Sequence, residues 1–287
     1  MSNKDIKNNI ESLEIFRAFN NSPYLSMKHS SYFKVYDDLF SQYKDSKITF
    51  VEVGVLNGGS LFMWRDYFGP NARIIGVDLN PQAKKWEEYD FEVFIGNQGD
   101  PLFWEDFFKT IGPVDIVLDD GGHTFVQQIV TVHCSIPNIR NGGIVVVEDT
   151  HTSYFEEFGY PTRYSFIEWS KRLIDNLNSR FHLVNASNLS YKDYVYSITF
   201  FESIVSYKID ANECYESSEI YNSGISFDAK DFRYHGSWME EIKSFIIGLI
   251  RKYPFLGRIY GLDKINKYVL RLYSIFHTMK ATKNLDQ

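Results

Sequence analysis

The chain has 287 residues and a 44% hydrophobic fraction, enough for one elaborated domain or a domain with a small appendage. No run of about 18 uncharged apolar residues is present, which excludes a predicted transmembrane helix, and the net charge of −7 argues against general nucleic-acid binding. The two cysteines, Cys134 and Cys214, form no disulfide framework or metal spacing, and the polar N-terminus is unlike a secretory signal. We therefore expect a cytoplasmic protein.

Residues 1–47 predict a helical N-terminal cap. Aromatic side chains in this segment recur at helical spacing, namely His29, Phe33, Tyr36 and Phe40. His29 and Tyr32 could cover an acceptor pocket, but we interpret them as part of an ordinary amphipathic helix.

From Ile48 onward, short apolar strands alternate with helices. The predicted strands are "ITFVEVGV", "RIIGVDL", "FEVFIG", "VDIVLDD" and "GGIVVVED". The first helix, "SLFMWRDYF", has Ser60 as its predicted N-cap, and two later helices begin at proline. Strands that are nearly continuous in Val and Ile predict a parallel sheet covered on both faces. This pattern indicates an α/β, doubly wound, Rossmann-like fold.

Two further features complete the predicted domain, which we place at residues 48–209. The segment "YSFIEWSKRLIDNL" predicts another helix, and "YSITFFESIVSYKI" predicts two strands with almost no connection. These two strands would form a C-terminal antiparallel hairpin that closes the edge of the mostly parallel sheet.

Residues 210–287 predict a loop-rich stretch followed by a basic amphipathic helical extension. From Glu241 to Gln287 there are nine Lys or Arg and three Asp or Glu, a net charge of +6 that leaves −13 elsewhere. Pro254 and Gly257 favour two short helices over one long one. Such a tail can contact a membrane surface peripherally, but we favour packing on the domain or on a second subunit of a homo-oligomer.

The glycine-rich stretch "VEVGVLNGGS" joins the first strand to the first helix, where open parallel sheets bind ligands. Gly54 and Gly58 permit a tight turn and a close approach of a ligand to the backbone. The spacing is not that of a pyrophosphate-binding loop, and Glu52 at the strand end favours a cationic or zwitterionic cofactor.

Polar residues at the next two strand ends predict a nucleoside site. Asp78 ends the second strand and can accept hydrogen bonds from both ribose hydroxyls. Asn97, Gln98 and Asp100 follow the third strand, close to where an adenine would lie.

Two acidic pairs end the fourth and fifth strands, Asp119 with Asp120 and Glu148 with Asp149. These strands are expected to be neighbours, so four carboxylates would share one crevice, where they repel one another and are costly to desolvate. A hard divalent cation such as Mg²⁺ would relieve the repulsion and could activate a substrate hydroxyl. His123, three residues after Asp120, could remove the proton of that hydroxyl.

These segments resemble class I S-adenosylmethionine-dependent methyltransferases, with Glu52 and Gly54 in the first motif and Asp78 in the second. More narrowly, the chain resembles the macrocin and mycinamicin sugar O-methyltransferases and the related cephalosporin-hydroxylase-like group, from about Tyr24 to Lys208. The segments that carry the resemblance are "VEVGVLNGGS", "GVDLNP", "LDDGGH", "VVEDTHTSY" and "SFIEWSKRLID". The family usually has Asp-Asp-Gly-Ser-His where this chain has Gly122.

The resemblance implies S-adenosylmethionine as cofactor and a divalent cation, Mg²⁺, held by Asp120, Glu148 and Asp149. It also implies His123 as general base, and it leaves Asp119 to orient the cofactor or the loop. The acceptor would be a hydroxyl of a sugar or glycoconjugate, from a capsule, a lipopolysaccharide, a nucleotide sugar or a natural product.

Two alternatives remain open. The first is an oxidoreductase or hydroxylase on the same scaffold, although no set of two histidines and a carboxylate is evident in the sequence. The second is a non-catalytic binding protein that retains the fold.

Overall fold

The computed structural model describes residues 10–182, 184, 190–225, 238–253 and 260–283. The chain forms two compact units, Met1–Glu219 and Ile220–Gln287. The predicted division into a cap, a methyltransferase domain and an extension stays a prediction. Residues 1–9 of the predicted cap, residues 226–237, Pro254 and Gly257 lie outside the described residues.

The first unit contains a seven-stranded sheet in the order β3-β2-β1-β4-β5-β7-β6. Its strands are β1 Thr49–Val53, β2 Arg73–Asp78, β3 Glu92–Ile95, β4 Val114–Asp119, β5 Ile139–Val147, β6 Val195–Phe201 and β7 Ile204–Ile209. Strands β1 to β5 pair in parallel, whereas β7 pairs antiparallel with both β5 and β6. This confirms the predicted α/β fold with a C-terminal antiparallel hairpin.

Helices cover both faces of this sheet. They are α1 Glu14–Asn21, α2 Tyr32–Phe40, α3 Gly59–Phe68, α4 Pro101–Ile111, α5 Phe125–Ser135 and α6 Phe166–Asn178, with a 3₁₀ helix at Pro81–Tyr89. Neighbouring strand residues point to opposite faces, so Phe50 packs in the cluster of α1 to α3 and Val51 in the cluster of α4 to α6. Helices α1 and α2 therefore share one core with the sheet.

Strand register decides which residues meet at the edge where ligands bind. In the parallel pairs, Val53 lies opposite Asp119, and Asp119 lies opposite Val147. The residues that follow these partners, Asp120 and Glu148, therefore leave the sheet side by side.

The loop after β1 depends on two glycines with positive φ. Gly54 has φ +92°, and a Cβ there would lie 2.1 Å from the carbonyl oxygen of Asp120. Gly58 has φ +77° and occupies the N-cap position of α3. The predicted N-cap, Ser60, is wrong because the helix already begins at Gly59, and Ser60 lies within its first turn.

The second unit contains two described helices, α7 Trp238–Lys252 and α8 Tyr260–Thr282. Among the residues that the structure describes, no helix is both long and apolar enough to cross a membrane.

Gly54→Ala tests whether the fold needs the close approach of this loop to β4. An alanine at positive φ costs about 1–2 kcal/mol, and the clash with the Asp120 carbonyl should add about 1–3 kcal/mol. Gly142→Ala is the matched control, because Gly142 has φ +86° but open space around the added Cβ. Urea unfolding of both variants measures the difference, and equal losses of unfolding free energy would contradict the account.

Candidate active site

A cavity of about 440 Å³ lies at the carboxyl ends of the parallel strands. Open parallel sheets bind their ligands at this edge. The cavity is lined by loops that follow the strands, and by the segment between α1 and α2. These lining segments are residues 25–29, 53–57, 77–79, 96–98, 120–123 and 148–149.

Asp78 lies at the end of β2 and lines the cavity. Its carboxylate accepts backbone hydrogen bonds from Val55 at 2.9 Å, Leu56 at 3.1 Å and Asn80 at 2.8 Å. A carboxylate offers about four acceptor positions. The bonds from Val55 and Leu56 fix the loop after β1, and the bond from Asn80 fixes the turn after β2. Together they leave capacity for a ribose hydroxyl, a contact that stays a prediction.

Glu52 has a different environment from the predicted one. It is fully buried, and its two carboxylate oxygens accept hydrogen bonds from Ser60 Oγ at 2.7 Å and Trp64 Nε1 at 2.9 Å. Burial raises its pKa to about 7, against the lowering effect of the Lys28 charge and of these two bonds. Since Glu52 is not part of the cavity lining, its carboxylate anchors α3 to β1 and has no direct contact with the cavity.

Two other predicted cofactor residues serve the local backbone. Asp100 is the N-cap of α4, where its side chain accepts a hydrogen bond from the Leu102 amide at 2.9 Å. At Gly58, an added Cβ would lie 2.3 Å from the Trp86 ring, so the close approach there is that of a side chain and not of a ligand. Neither residue lines the cavity, whereas Gly54 and Asn97 do.

Asp119 and Gln98 support the turn that follows β4. Gln98 Nε2 donates to Asp119 Oδ1 at 2.9 Å, and Gln98 Oε1 accepts from the Gly122 amide at 2.9 Å. Burial raises the pKa of Asp119. Gln98 also lines the cavity. Asp119 thus orients the loop, one of the two roles that the sequence left open for it.

A lysine holds the predicted metal ligands together. Lys28 Nζ donates to Asp120 Oδ2 at 2.5 Å and to Glu148 Oε2 at 2.9 Å, and its side chain is only 2% exposed. Tyr36 donates to the other oxygen of Glu148 at 2.6 Å. Burial alone would lower the pKa of Lys28, but the charges of Asp120 and Glu148 raise it, so the ammonium stays charged. Burial raises the pKa of Glu148, an effect that the Lys28 charge opposes.

Asp149, the third predicted ligand, lies among imidazoles. Its carboxylate is 3.4 Å from His123 Nε2, 3.8 Å from His151 Nδ1 and 3.9 Å from His29 Nε2, and it accepts a hydrogen bond from Tyr32. His29 and Tyr32 therefore lie at the cavity, where the sequence favoured an ordinary helix.

Among the residues that the structure describes, two groups of possible metal-ligand atoms are found, and within each group the atoms lie within 4.8 Å of one another. One is Asp120 with His123 and Asp149, and the other is His29 with Asp149 and His151. Glu148 belongs to neither group. The second group corrects the sequence analysis, which found no set of two histidines and a carboxylate, because its members come from separate loops.

His123 has the geometry of a positioned imidazole. It adopts φ +58° and lines the cavity, with its side chain 25% exposed. Its Nε2 faces Asp149, while its Nδ1 is buried without a hydrogen-bond partner in the described part of the chain. A residue held in this uncommon conformation is fixed by its surroundings, as active-site residues often are.

Lys28 and Tyr36 are the site residues that sequence reasoning missed. Both precede the sheet and reach the ends of β4 and β5 across 92 to 120 residues of chain. A buried pair of strand-end carboxylates needs a counter-charge, but no local pattern shows which lysine supplies it.

The strand order and the cavity at the carboxyl ends of the strands define the α/β methyltransferase fold. A solved structure of the MycE methyltransferase from the mycinamycin biosynthetic pathway, in complex with Mg, SAH and Mycinamycin VI, matches this fold with a TM-score of 0.61. The two chains are 24% identical, and the match covers 70% of this chain and 54% of MycE. No protein-family model matches the chain.

The chain is related to S-adenosylmethionine-dependent sugar O-methyltransferases of the macrocin and mycinamicin group. It is 34% identical to the 8-demethyl-8-alpha-L-rhamnosyl tetracenomycin-C 2'-O-methyltransferase of Streptomyces olivaceus, over 54% of this chain and 45% of the relative. It is 33% identical to the demethylmacrocin O-methyltransferase of Streptomyces fradiae, over 43% of this chain and 33% of the relative. The chain thus matches less than half the length of these curated relatives.

Lys28→Met tests the counter-charge in protein kept metal-free with EDTA. Removing one partner of a buried charge pair should lower the free energy of unfolding by about 3–5 kcal/mol. Adding Glu148→Gln should recover most of that loss, because the buried charge is then also removed. Lys34→Met is the control: Lys34 is exposed and pairs with Asp38, so it should cost at most about 1 kcal/mol. Urea unfolding measures these changes. A loss of unfolding free energy in Lys28→Met as small as that in Lys34→Met would contradict the assignment.

Proposed function

We propose that this protein transfers a methyl group from S-adenosylmethionine to a hydroxyl of a sugar or glycoconjugate, with the help of a divalent cation, most simply Mg²⁺. The observation that carries the proposal is the cluster of Asp120, His123 and Asp149 at the wall of a cavity that Asp78 and the Gly54 loop also line. The curated relatives are named as O-methyltransferases of glycosylated natural products, which supports a sugar as the acceptor.

The chain's own groups suit a nucleoside cofactor with a positive centre. Asp78 would accept a hydrogen bond from the ribose, and Asn97 and Gln98 would bind the base beside it. When bound, S-adenosylmethionine supplies the methyl group on its sulfonium. The carboxylates of Asp120 and Asp149 face the same cavity and favour a cationic cofactor over a pyrophosphate.

The site also fits a divalent cation, since it already holds one positive charge. The Lys28 ammonium contacts oxygens of both Asp120 and Glu148, and oxygen ligands of this kind suit Mg²⁺. Asp120, Glu148 and Asp149 would hold the cation, which would lower the pKa of an acceptor hydroxyl. Binding through Glu148 requires Lys28 to move away from these carboxylates.

His123 would remove the proton of the acceptor hydroxyl on Nε2, the nitrogen that faces Asp149 at 3.4 Å. The imidazolium that results would form an ion pair with Asp149, which stabilises the proton on His123. A general base positioned in this way contributes about 10²–10⁴-fold to a rate.

One observation favours a second candidate, an oxidoreductase. His29, Asp149 and His151 place two imidazole nitrogens and a carboxylate oxygen within 4.8 Å of one another, the type of donor set that non-haem iron uses. However, Tyr32 and Ser203 already bond two members of this set, Asp149 and His151. The residues assigned to methyl transfer make up more of the cavity lining, which does not include His151.

Incubation with S-adenosylmethionine, Mg²⁺ and a panel of candidate glycans should add one methyl group to one acceptor, read by mass spectrometry. EDTA should abolish the product and added Mg²⁺ should restore it, because the carboxylate cluster would bind the cation. Full activity in EDTA would show that the reaction needs no metal.

His123→Ala should lower the methyl-transfer rate by about 10²–10⁴-fold and leave the affinity for S-adenosylmethionine unchanged. His151→Ala is the matched control, because His151 also faces Asp149 but is bonded to Ser203. A larger loss in His151→Ala than in His123→Ala would contradict the assigned base. Single-turnover rates measure both.

A further inference from the structure

Helix α8 presents an uncovered apolar stripe in the described part of the chain. Its members are exposed and recur at helical spacing, namely Tyr268, Leu272, Ile275, Phe276 and Met279. At 3.6 residues per turn these positions cover an arc of about 100°. We call this surface the α8 stripe.

The helix uses another side for its contacts within the second unit. Val269, Leu270 and Tyr273 are half-buried, and the Tyr273 ring lies 5.2 Å from the ring of Trp238 on α7. At helical spacing these three residues lie beside and behind the α8 stripe. The stripe is therefore apolar surface beyond that used to pack the two helices.

Basic residues flank the α8 stripe on both edges. Arg271 lies on one edge and Lys280 lies on the other, and both are exposed. Lys283, also exposed, directly follows the end of the helix. From Lys264 to Lys283 the sequence contains no Asp or Glu. A strip of apolar side chains with a basic residue on each edge and no acidic residue nearby along the helix matches an anionic lipid surface, where apolar groups insert and Lys and Arg remain at the headgroups.

We infer that the α8 stripe docks on the surface of an anionic phospholipid membrane, with α8 lying in the plane of the interface. The charge pattern selects lipid over a second copy of the chain, because two stripes packed face to face would bring their basic edges together. Docking on lipid replaces our sequence-based preference for packing or oligomerisation. This inference is independent of the proposed methyl transfer.

Co-sedimentation of the full chain with phospholipid vesicles tests the inference. We expect binding to vesicles of phosphatidylcholine mixed with phosphatidylglycerol, little binding to phosphatidylcholine alone, and release in high salt, which screens the charges. The double variant Leu272→Gln with Phe276→Gln should bind at least about tenfold more weakly. Arg271→Gln with Lys280→Gln should also weaken binding to the mixed vesicles.

Ser274→Gln is the matched control, because it places the same side chain at an exposed position on the other side of α8. It should bind vesicles like the unaltered chain, and circular dichroism should show equal helix content in all variants. No binding of the unaltered chain to the mixed vesicles, or equal binding by the Leu272 and Phe276 variant, would overturn the inference.

Two other partners for the α8 stripe, a second copy of the chain or the rest of the same chain, would give different results. If a second copy covers the α8 stripe, sedimentation velocity without vesicles would show an oligomer that the Leu272 and Phe276 variant dissociates. If the rest of the chain covers it, that variant would lower the melting temperature and vesicle binding would be absent. Either result overturns the inference.

Discussion

A buried concentration of negative charge at the ends of β4 and β5 is the constraint on which the rest of the site depends. The register of these parallel strands brings Asp120 and Glu148 together as soon as the chain leaves the sheet. Carboxylates in such a place are costly to desolvate unless a positive charge compensates them. Lys28 provides that charge from the segment between α1 and α2, so the N-terminal helices complete the site as well as the core.

The acidic residues divide into two groups according to their contacts. Glu52 and Asp119 point into the protein, where they bond α3 and the Gln98 turn. Asp78, Asp120, Glu148 and Asp149 line the cavity. The first group fixes the loops, and the second would face a bound ligand. The acidic pair at the end of β4 is therefore divided, since Asp119 bonds the Gln98 turn and Asp120 lines the cavity.

The parts of the structure that depend on short-range pattern could be predicted from the sequence. Strand-to-helix alternation predicted the sheet and the hairpin, and strand-end acids predicted where the cavity lies. The roles of single loop residues were harder to predict, because Asp100 and Gly58 act as helix caps where a ligand contact was expected. Contacts between distant segments could not be predicted. Lys28 binds Asp120 and Glu148, which lie 92 and 120 positions further along the chain.

We propose that the carboxylates at the ends of β4 and β5 hold one cation at a time, either the Lys28 ammonium or a divalent cation. Calorimetric titration of Mg²⁺ into the unaltered chain and into Lys28→Met tests it most directly, with Asp120→Asn as control. Removing the competing ammonium should tighten Mg²⁺ binding in Lys28→Met, and removing a ligand should weaken it in Asp120→Asn. If Lys28→Met binds Mg²⁺ no more tightly than the unaltered chain, the ammonium and the cation do not share this site.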